Sequence, residues 1–187
     1  MRRVRYQVAM SLDGYIAGPN GEYDWIVEED EIDFTGLFAQ FDTFVMGRGT
    51  WEVMQTSGGG TGMFKGSKVI VFSRTLKPED HPGITISAGD PTETVAALKA
   101  EEGKDIWLFG GGVLFREFLE RGLVDTVEVA VIPVLVGGGI QLLPPPAQRT
   151  SLRLTGSRVY EKSGIVMLEY DVAPPAAKKK AKRKRDG

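Results

Sequence analysis

The residues best suited to chemistry lie in one run, Asp105-Ile106-Trp107-Leu108-Phe109-Gly110-Gly111-Gly112-Val113-Leu114-Phe115-Arg116. A buried apolar stretch stops at three glycines, and an amphipathic helix pattern carried by Phe115, Phe118 and Leu119 starts at once. Glycine has no Cβ, so a ligand can approach the backbone closely there. The helix start behind it offers free N–H groups and a partial positive charge. Together these suit an anion, most often a phosphate or pyrophosphate. A tight turn is the alternative, but one glycine would serve that purpose. The glycines lack the spacing of the dinucleotide fingerprint, no acidic residue follows at its distance, and the run comes late in the chain. A first Rossmann crossover is therefore not expected.

Composition removes other chemistries. There is no cysteine, which excludes disulfides, thiolate metal sites and cysteine nucleophiles. The single histidine, His81, sits in the turn-rich Pro78-Glu79-Asp80-His81-Pro82, so neither a Ser-His-Asp triad nor a multi-histidine metal site is expected. No Gly-Lys-Ser or Gly-Lys-Thr follows a glycine-rich loop, which disfavours a P-loop kinase or hydrolase. The N-terminus enters a strand pattern without a signal peptide, and no apolar run approaches the roughly 18 residues of a membrane helix. A soluble, cytoplasmic protein is expected.

The net charge of −2 hides a segregation. Residues 174–187 hold seven basic side chains and one acidic one, leaving 16 basic and 24 acidic in the rest. Like charges so dense, without apolar partners, predict a disordered tail. It would act as a solubilising extension, or bind nucleic acid or another polyanion weakly.

The elements that must position the glycine run follow from periodicity. Strands are predicted over Val4–Met10, Thr43–Met46, Lys68–Ser73, Ile84–Ser87, Ile106–Phe109 and Val124–Val134, with an antiparallel pair over Ser151–Tyr160 and Ile165–Val172. Helices are predicted over Glu28–Phe41, from Gly47 onward, over Pro91–Glu102 with Pro near its start and Gly103 past its end, and over Val113–Arg121. Ser11–Trp25 reads as a long functional loop and Thr56–Gly66 as a glycine-rich one, of which Ser57–Gly62 would serve as a lid or as a plain connection. Strands alternating with helices give an α/β class: one three-layer domain with a mostly parallel central sheet and antiparallel C-terminal edge strands. Residues 1–173 form this domain and 174–187 the tail.

Four segments stand in one order: Ala9-Met10-Ser11-Leu12-Asp13-Gly14-Tyr15-Ile16-Ala17-Gly18, Val45-Met46-Gly47-Arg48-Gly49-Thr50-Trp51, Val69-Ile70-Val71-Phe72-Ser73-Arg74-Thr75 and the glycine run. That order resembles the dihydrofolate reductase superfamily over roughly residues 3–172. Ser11–Ala17, and Gly122-Leu123-Val124-Asp125 followed by Ile132–Gly139, resemble most the branch holding the reductase domain of bacterial riboflavin biosynthesis. The resemblance implies NADPH as cofactor. Gly47, Arg48, Gly49 and Thr50 would open a helix beside its phosphates, and an arginine fork suits phosphate. Ser73, Arg74 and Thr75 would meet the 2′-phosphate, which favours NADPH over NADH. Gly110, Gly111 and Gly112, with Val113 and Leu114 behind them, would take the pyrophosphate. Ala9, Ile16 and Ala17 would lie by the nicotinamide, and Trp51 would pack in the core.

On the substrate side the resemblance implies one carboxylate on the first helix. Counting forward from Trp25 places it at Asp30, and counting back from Gly47-Arg48 places it at Glu31; an aromatic four residues later, Phe34, favours Asp30. Walled by Phe34 and Trp25, Asp30 would be desolvated and hold a proton near neutrality as catalytic acid. An acidic first turn for its own sake is the plain alternative. Asp13 is a second substrate-binding candidate, or simply the start of a turn. Val136–Gly139 would contact substrate phosphate or backbone, or turn at the sheet edge.

The expected function is hydride transfer from NADPH to a small heterocycle, such as 5-amino-6-(5-phosphoribosylamino)uracil. A dihydropterin is the second substrate class. A nucleotide-binding protein without catalysis, with a polyanion-binding tail, is the competing class. The resemblance also implies a homodimer, with the apolar strand Val127–Val134 at its interface.

Overall fold

The computed structural model describes residues 1–56 and 61–173. In chain order the elements are β1 (Val4–Ser11), β2 (Tyr15–Ala17), α1 (Phe34–Phe38), β3 (Phe41–Gly47), α2 (Arg48–Thr56), β4 (Lys68–Phe72), β5 (Thr85–Ser87), α3 (Pro91–Ala100), β6 (Asp105–Gly110), α4 (Gly112–Glu120), β7 (Thr126–Ile132), β8 (Ile140–Gln141), β9 (Leu152–Tyr160) and β10 (Ile165–Val172). Eight strands make the main sheet in the order β5-β4-β3-β6-β1-β7-β10-β9. The first six are parallel, and β10 and β9 close the sheet antiparallel. The α/β class, the parallel sheet and its antiparallel edge agree with the sequence expectation.

The parallel strands are apolar on both faces because both are covered. In β3, Val45 belongs to one core cluster, while Phe44 and Met46 on either side of it belong to the other. α3 and α4 cover the first face with Val95, Leu98, Leu114, Phe115 and Phe118, and the Tyr6 ring stacks on Phe115 at 3.8 Å between centroids. The second face carries Phe41, Phe44, Phe64 and Trp107 with Trp51 of α2. α3 starts where the sequence says: Asp90 caps the Thr92 N–H at 2.6 Å and Pro91 needs no donor.

Three differences bear on the site. The helix expected over Glu28–Phe41 shrinks to the five residues of α1. Asp33 accepts from the Gly36 N–H at 2.8 Å and so sets the helix start, while the Ile32 N–H bonds to the Glu29 carbonyl at 3.2 Å in a turn before it. The Ser11–Trp25 loop contains β2, which pairs with β8 in a small second sheet. β7 ends at Ile132, because Pro133 has no N–H for the ladder. It also lies inside the sheet, with β1 and β10 on its two sides, rather than at an edge. Ser57–Gly60 of the expected lid and the basic tail lie outside the described residues.

Candidate functional site

The carboxyl ends of neighbouring strands come together at one edge of the sheet. Gly47 of β3 pairs with Phe72 of β4, and Met46 of β3 with Gly110 of β6. The segments that follow, Arg48-Gly49-Thr50, Ser73-Arg74-Thr75 and Gly111-Gly112-Val113, therefore emerge side by side. Open parallel sheets bind ligands at this edge.

A cavity of about 370 Å³ opens there, lined among others by Ala9, Ile16, Ala17, Gly49, Thr50, Gly110 and Gly111. These seven residues were expected around a cofactor, and the fold brings them to one wall. The remaining candidates, Gly47, Arg48, Ser73, Arg74, Thr75, Gly112, Val113 and Leu114, stand outside the lining. Arg48 is exposed and lies 3.5 Å from Glu52. Ser73 is buried, and its hydroxyl accepts the N–H groups of Thr75 (3.2 Å) and Leu76 (3.0 Å). Arg74 and Thr75 are exposed beyond that turn, and Arg74 has no ion-pair partner among the described residues. Trp51 is core, with its N–H 3.4 Å from His81 Nδ1.

The glycine triplet answers to three constraints. A Cβ on Gly110 would meet the Thr50 methyl at 2.9 Å. Gly111 caps α4 at φ 96°, where an L side chain is strained. A Cβ on Gly112 would stand 2.2 Å from the Gln141 carbonyl oxygen of β8. The excess over one glycine is thus set at least as much by protein neighbours as by a ligand. No side chain caps α4, so its first N–H groups are free of that partner. Leu114 is buried in the core.

A larger cavity of about 720 Å³ adjoins the first, with Val8, Ala9, Ile26, Met63 and Phe109 lining both. Its floor is Gln7, Trp107, Ala130 and Met167 of the sheet, and its rim includes Phe34 and Asp30. Trp107 is fixed by donating its indole N–H to the Gln7 carbonyl at 3.0 Å.

The desolvated trio of Asp30, Phe34 and Trp25 does not form. The Asp30 side chain is 86% exposed and lies 3.2 Å from Lys162. Glu31 pairs with Arg158 at 2.9 Å, and Phe34 is more than half exposed. Trp25 packs instead against the cluster of Ile132, Tyr160 and Ile165. The physical reason is the missing helix: without it, residues four apart do not share a face. The buried carboxylate of the acidic run is Glu29, 6% exposed, and it lines the larger cavity. Ser163 beside it and the N–H of Glu31 hold its carboxyl below the usual carboxylate range.

Asp13 lines neither cavity. Its carboxylate accepts the Ser11 hydroxyl at 2.6 Å and the N–H groups of Val136 at 3.0 Å and Gly137 at 2.7 Å. These bonds, led by Ser11, lower its pKa. They tie the Val136–Gly139 run to the β1–β2 turn, and Gly139 lies so close to the Ala17 carbonyl that a Cβ would stand 2.2 Å away. That run therefore makes backbone contacts. Ile140 of the smaller cavity carries no mark in the sequence, because only the β2–β8 pairing puts it there. Glu29 and Gln7 were equally hidden, one in a run of like residues and one in a strand.

Comparison with known proteins gives a consistent picture. Residues 2–166 match the RibD C-terminal domain. The chain is 34% identical over 179 residues to the uncharacterized protein YyaP of Bacillus subtilis, covering 90% of this chain and 94% of that one. It is 25% identical to the riboflavin biosynthesis protein RibD of Corynebacterium ammoniagenes, covering 79% of this chain and 48% of that protein. Among solved structures, a Shewanella sp. PV-4 protein attributed to riboflavin biosynthesis superposes with a TM-score of 0.78 at 26% identity, covering 92% of this chain and 99% of that one. Dihydrofolate reductase from Enterococcus faecalis, complexed with NADP(H), superposes at 0.67 with 17% identity, over 92% and 97% of the two chains, and shares the fold.

Proposed function

The chain belongs to the RibD C-terminal domain family, and from that footing we propose that it is an NADPH-dependent reductase acting on a small heterocyclic substrate. The observation that carries this reading is the junction of the two cavities at Ala9 and Phe109. A cofactor in the smaller one and a ring in the larger would meet there.

The residues in and beside the smaller cavity fit a dinucleotide. α4 begins without a side-chain cap, and a Cβ on Gly49 would meet nothing within 4 Å, so the space over the start of α2 is open. The N–H groups of Gly112, Val113 and Leu114 would hold a pyrophosphate, and Arg74 with Thr75 a 2′-phosphate. When bound, the nicotinamide supplies the hydride. Ala9 keeps the wall thin where two rings must approach. Ile16, Ala17 and Ile140 give the smaller cavity apolar walls, against which a nicotinamide ring would be shielded from water. Phe109 and Trp107 offer aromatic faces to the substrate ring. A cytoplasmic location and a homodimer are parts of the same proposal; among the described residues no helix is long and apolar enough to cross a membrane.

The test is a titration of the protein with NADPH and NADH, following tryptophan fluorescence, since Trp107 lines the larger cavity. Tight NADPH and weak NADH binding is expected, with turnover on a reducible heterocycle. Binding without turnover on any reducible ring would favour the non-catalytic reading. Arg74→Ala is expected to weaken NADPH binding about tenfold, the scale of one charge-assisted hydrogen bond, and leave NADH unchanged. Equal losses for both cofactors would remove the 2′-phosphate assignment.

A further inference from the structure

One wall of the larger cavity has no regular element of its own. Ile26, Val27, Glu28, Glu29, Asp30 and Ile32 line the space, yet they lie between β2 and α1 in neither helix nor strand. Among the described residues the backbone–backbone hydrogen bonds of this stretch are local, such as Ile26 N–H to the Tyr23 carbonyl at 3.1 Å and Ile32 N–H to the Glu29 carbonyl at 3.2 Å. Such bonds shape a turn but do not fix it to the sheet. Trp25, Ile26 and Ile32 rest on Ile132, Tyr160 and Ile165, and apolar packing of that kind is non-directional. The directional links all end on the turn end of the β9–β10 hairpin. Arg158 donates to Glu31 at 2.9 Å, Lys162 donates to Asp30 at 3.2 Å, and Ser163 stands beside the Glu29 carboxylate. Arg158 pairs across the strands with Met167, and Tyr160 with Ile165. Directly paired residues share a face, and both Met167 and Ile165 line the cavity, so Arg158 stands on the cavity side, one strand outside the floor. Its guanidinium lies 4.5 Å from the centre of the Tyr160 ring, which steadies it there.

We propose that Arg158 and Lys162 are positioning residues for the larger cavity: acting through Glu31 and Asp30, they hold the 26–32 wall down on the sheet, and the wall lifts when the two ion pairs break. The inference rests on the reductase reading only in taking this cavity as the substrate's. Both pairs join exposed side chains, so each is weak alone and is screened by salt. Because both tie one turn to one hairpin, they act on the same motion, and the closure of the wall depends on ionic strength. The smaller cavity is insulated from that motion, since only Ile26 of residues 26–32 belongs to its lining.

The experiment is amide hydrogen exchange of the full chain, read by NMR at Glu31 and Ile32 of the wall and, as a reference, at Val127 and Val129 of β7. The double variant Arg158→Ala, Lys162→Ala is expected to exchange about fivefold faster at the two wall amides, on the scale of two exposed ion pairs, with the β7 amides unchanged. Raising sodium chloride to about 1 M, where the Debye length falls to about 3 Å, should speed the wall amides of the native protein to the same degree and leave those of the variant as they are. Exchanging the charges, Arg158→Glu with Glu31→Arg, should restore the native rate that Arg158→Glu alone loses, which a merely structural role for Arg158 would not produce. Unchanged exchange at Glu31 and Ile32 in the double variant would overturn the proposal, as would a charge exchange that restores nothing. If the double variant does not fold, the salt dependence of the native protein decides, and wall amides indifferent to salt would overturn the proposal. NADPH affinity of the double variant is expected to match that of the native protein. Failure of the native protein to bind NADPH would sink the reductase reading and leave the positioning role to stand on exchange. Normal NADPH binding with wall amides that ignore both substitution and salt would sink this inference alone.

Discussion

Asp13 accepts the backbone N–H of Gly137 at 2.7 Å across 124 positions of sequence, and the same carboxylate holds Val136 at 3.0 Å. This joins the turn after β1, a strand that lines both cavities, to the loop after β7, a strand that lines the larger one. β2 and β8 continue the seam, and they supply Ile16, Ala17 and Ile140 to that cavity.

A pH dependence follows. The Asp13 pKa is lowered by the Ser11 hydroxyl and the two amides. A group whose folded pKa is depressed stabilises fully above its unfolded value and loses that contribution as pH falls through the folded one. The Asp13→Asn variant should therefore melt below the native protein at pH 7. The gap should close progressively as pH falls below about 4, the ordinary aspartate value. A gap that stays constant from pH 7 to pH 3 would show that the ionised carboxylate contributes nothing.

Gly112→Ala isolates the glycine that packs against β8. Its Cβ would stand 2.2 Å from the Gln141 carbonyl, and backbone cannot give way as a side chain does. Overpacking of this kind costs typically about 1–3 kcal/mol. Urea unfolding should register that loss. NADPH affinity should fall as well, because β8 carries Ile140 into the cavity wall. A variant with unchanged stability would mean that β8 is free to move away.

The strands and the mostly parallel sheet with its antiparallel edge were legible in the sequence because each buried strand is a compact apolar run between glycines or turn residues, as in Lys68–Ser73. The glycine triplet was legible as a strand-to-helix turn. Its three separate causes were not, since Thr50 and Gln141 reach it only through tertiary contact. The acidic run departs from its expected helix for a physical reason. Glu28-Glu29-Asp30-Glu31 before an apolar pattern looks like the first turn of a helix, but the Asp33 cap starts α1 later. Which of four acids is buried then depends on how one turn lies over the sheet, and no periodicity records that.

Asp30 illustrates the consequence. Its side chain is solvated, and its ion pair with Lys162 spans two exposed groups, of which pairs typically contribute under about 1 kcal/mol. Asp30→Asn is expected to change turnover with NADPH by no more than about twofold, on the scale of such a weak interaction. A large loss in kcat would restore Asp30 as the acid and would require the 28–33 turn to close over the substrate.

The face of the sheet formed by β9 and β10 away from the larger cavity makes the last prediction. Residues directly paired across strands share a face. The register sets Leu154 beside Tyr170, Leu152 beside Val172 and Val159 beside Val166. Leu154 and Val159 are 56% and 58% exposed, and Leu152 is exposed as well. An apolar surface of this kind at an edge strand invites pairing or packing with another chain. The homodimer proposed above would bury it, and a stable dimer needs roughly 1,200–2,000 Å² in total. Because β7 is interior, the interface would be built on β9 and β10 rather than on the apolar strand Val127–Val134. Leu154→Asp places a charge in the middle of this face without touching either cavity. Light scattering should then show the mass of one chain where the native protein shows two. NADPH binding should persist, since Leu154 lies on the opposite side of the sheet from the aromatic wall. A native protein that already scatters as a single chain would end the dimer reading. A Leu154→Asp variant that remains dimeric would move the interface elsewhere on the surface.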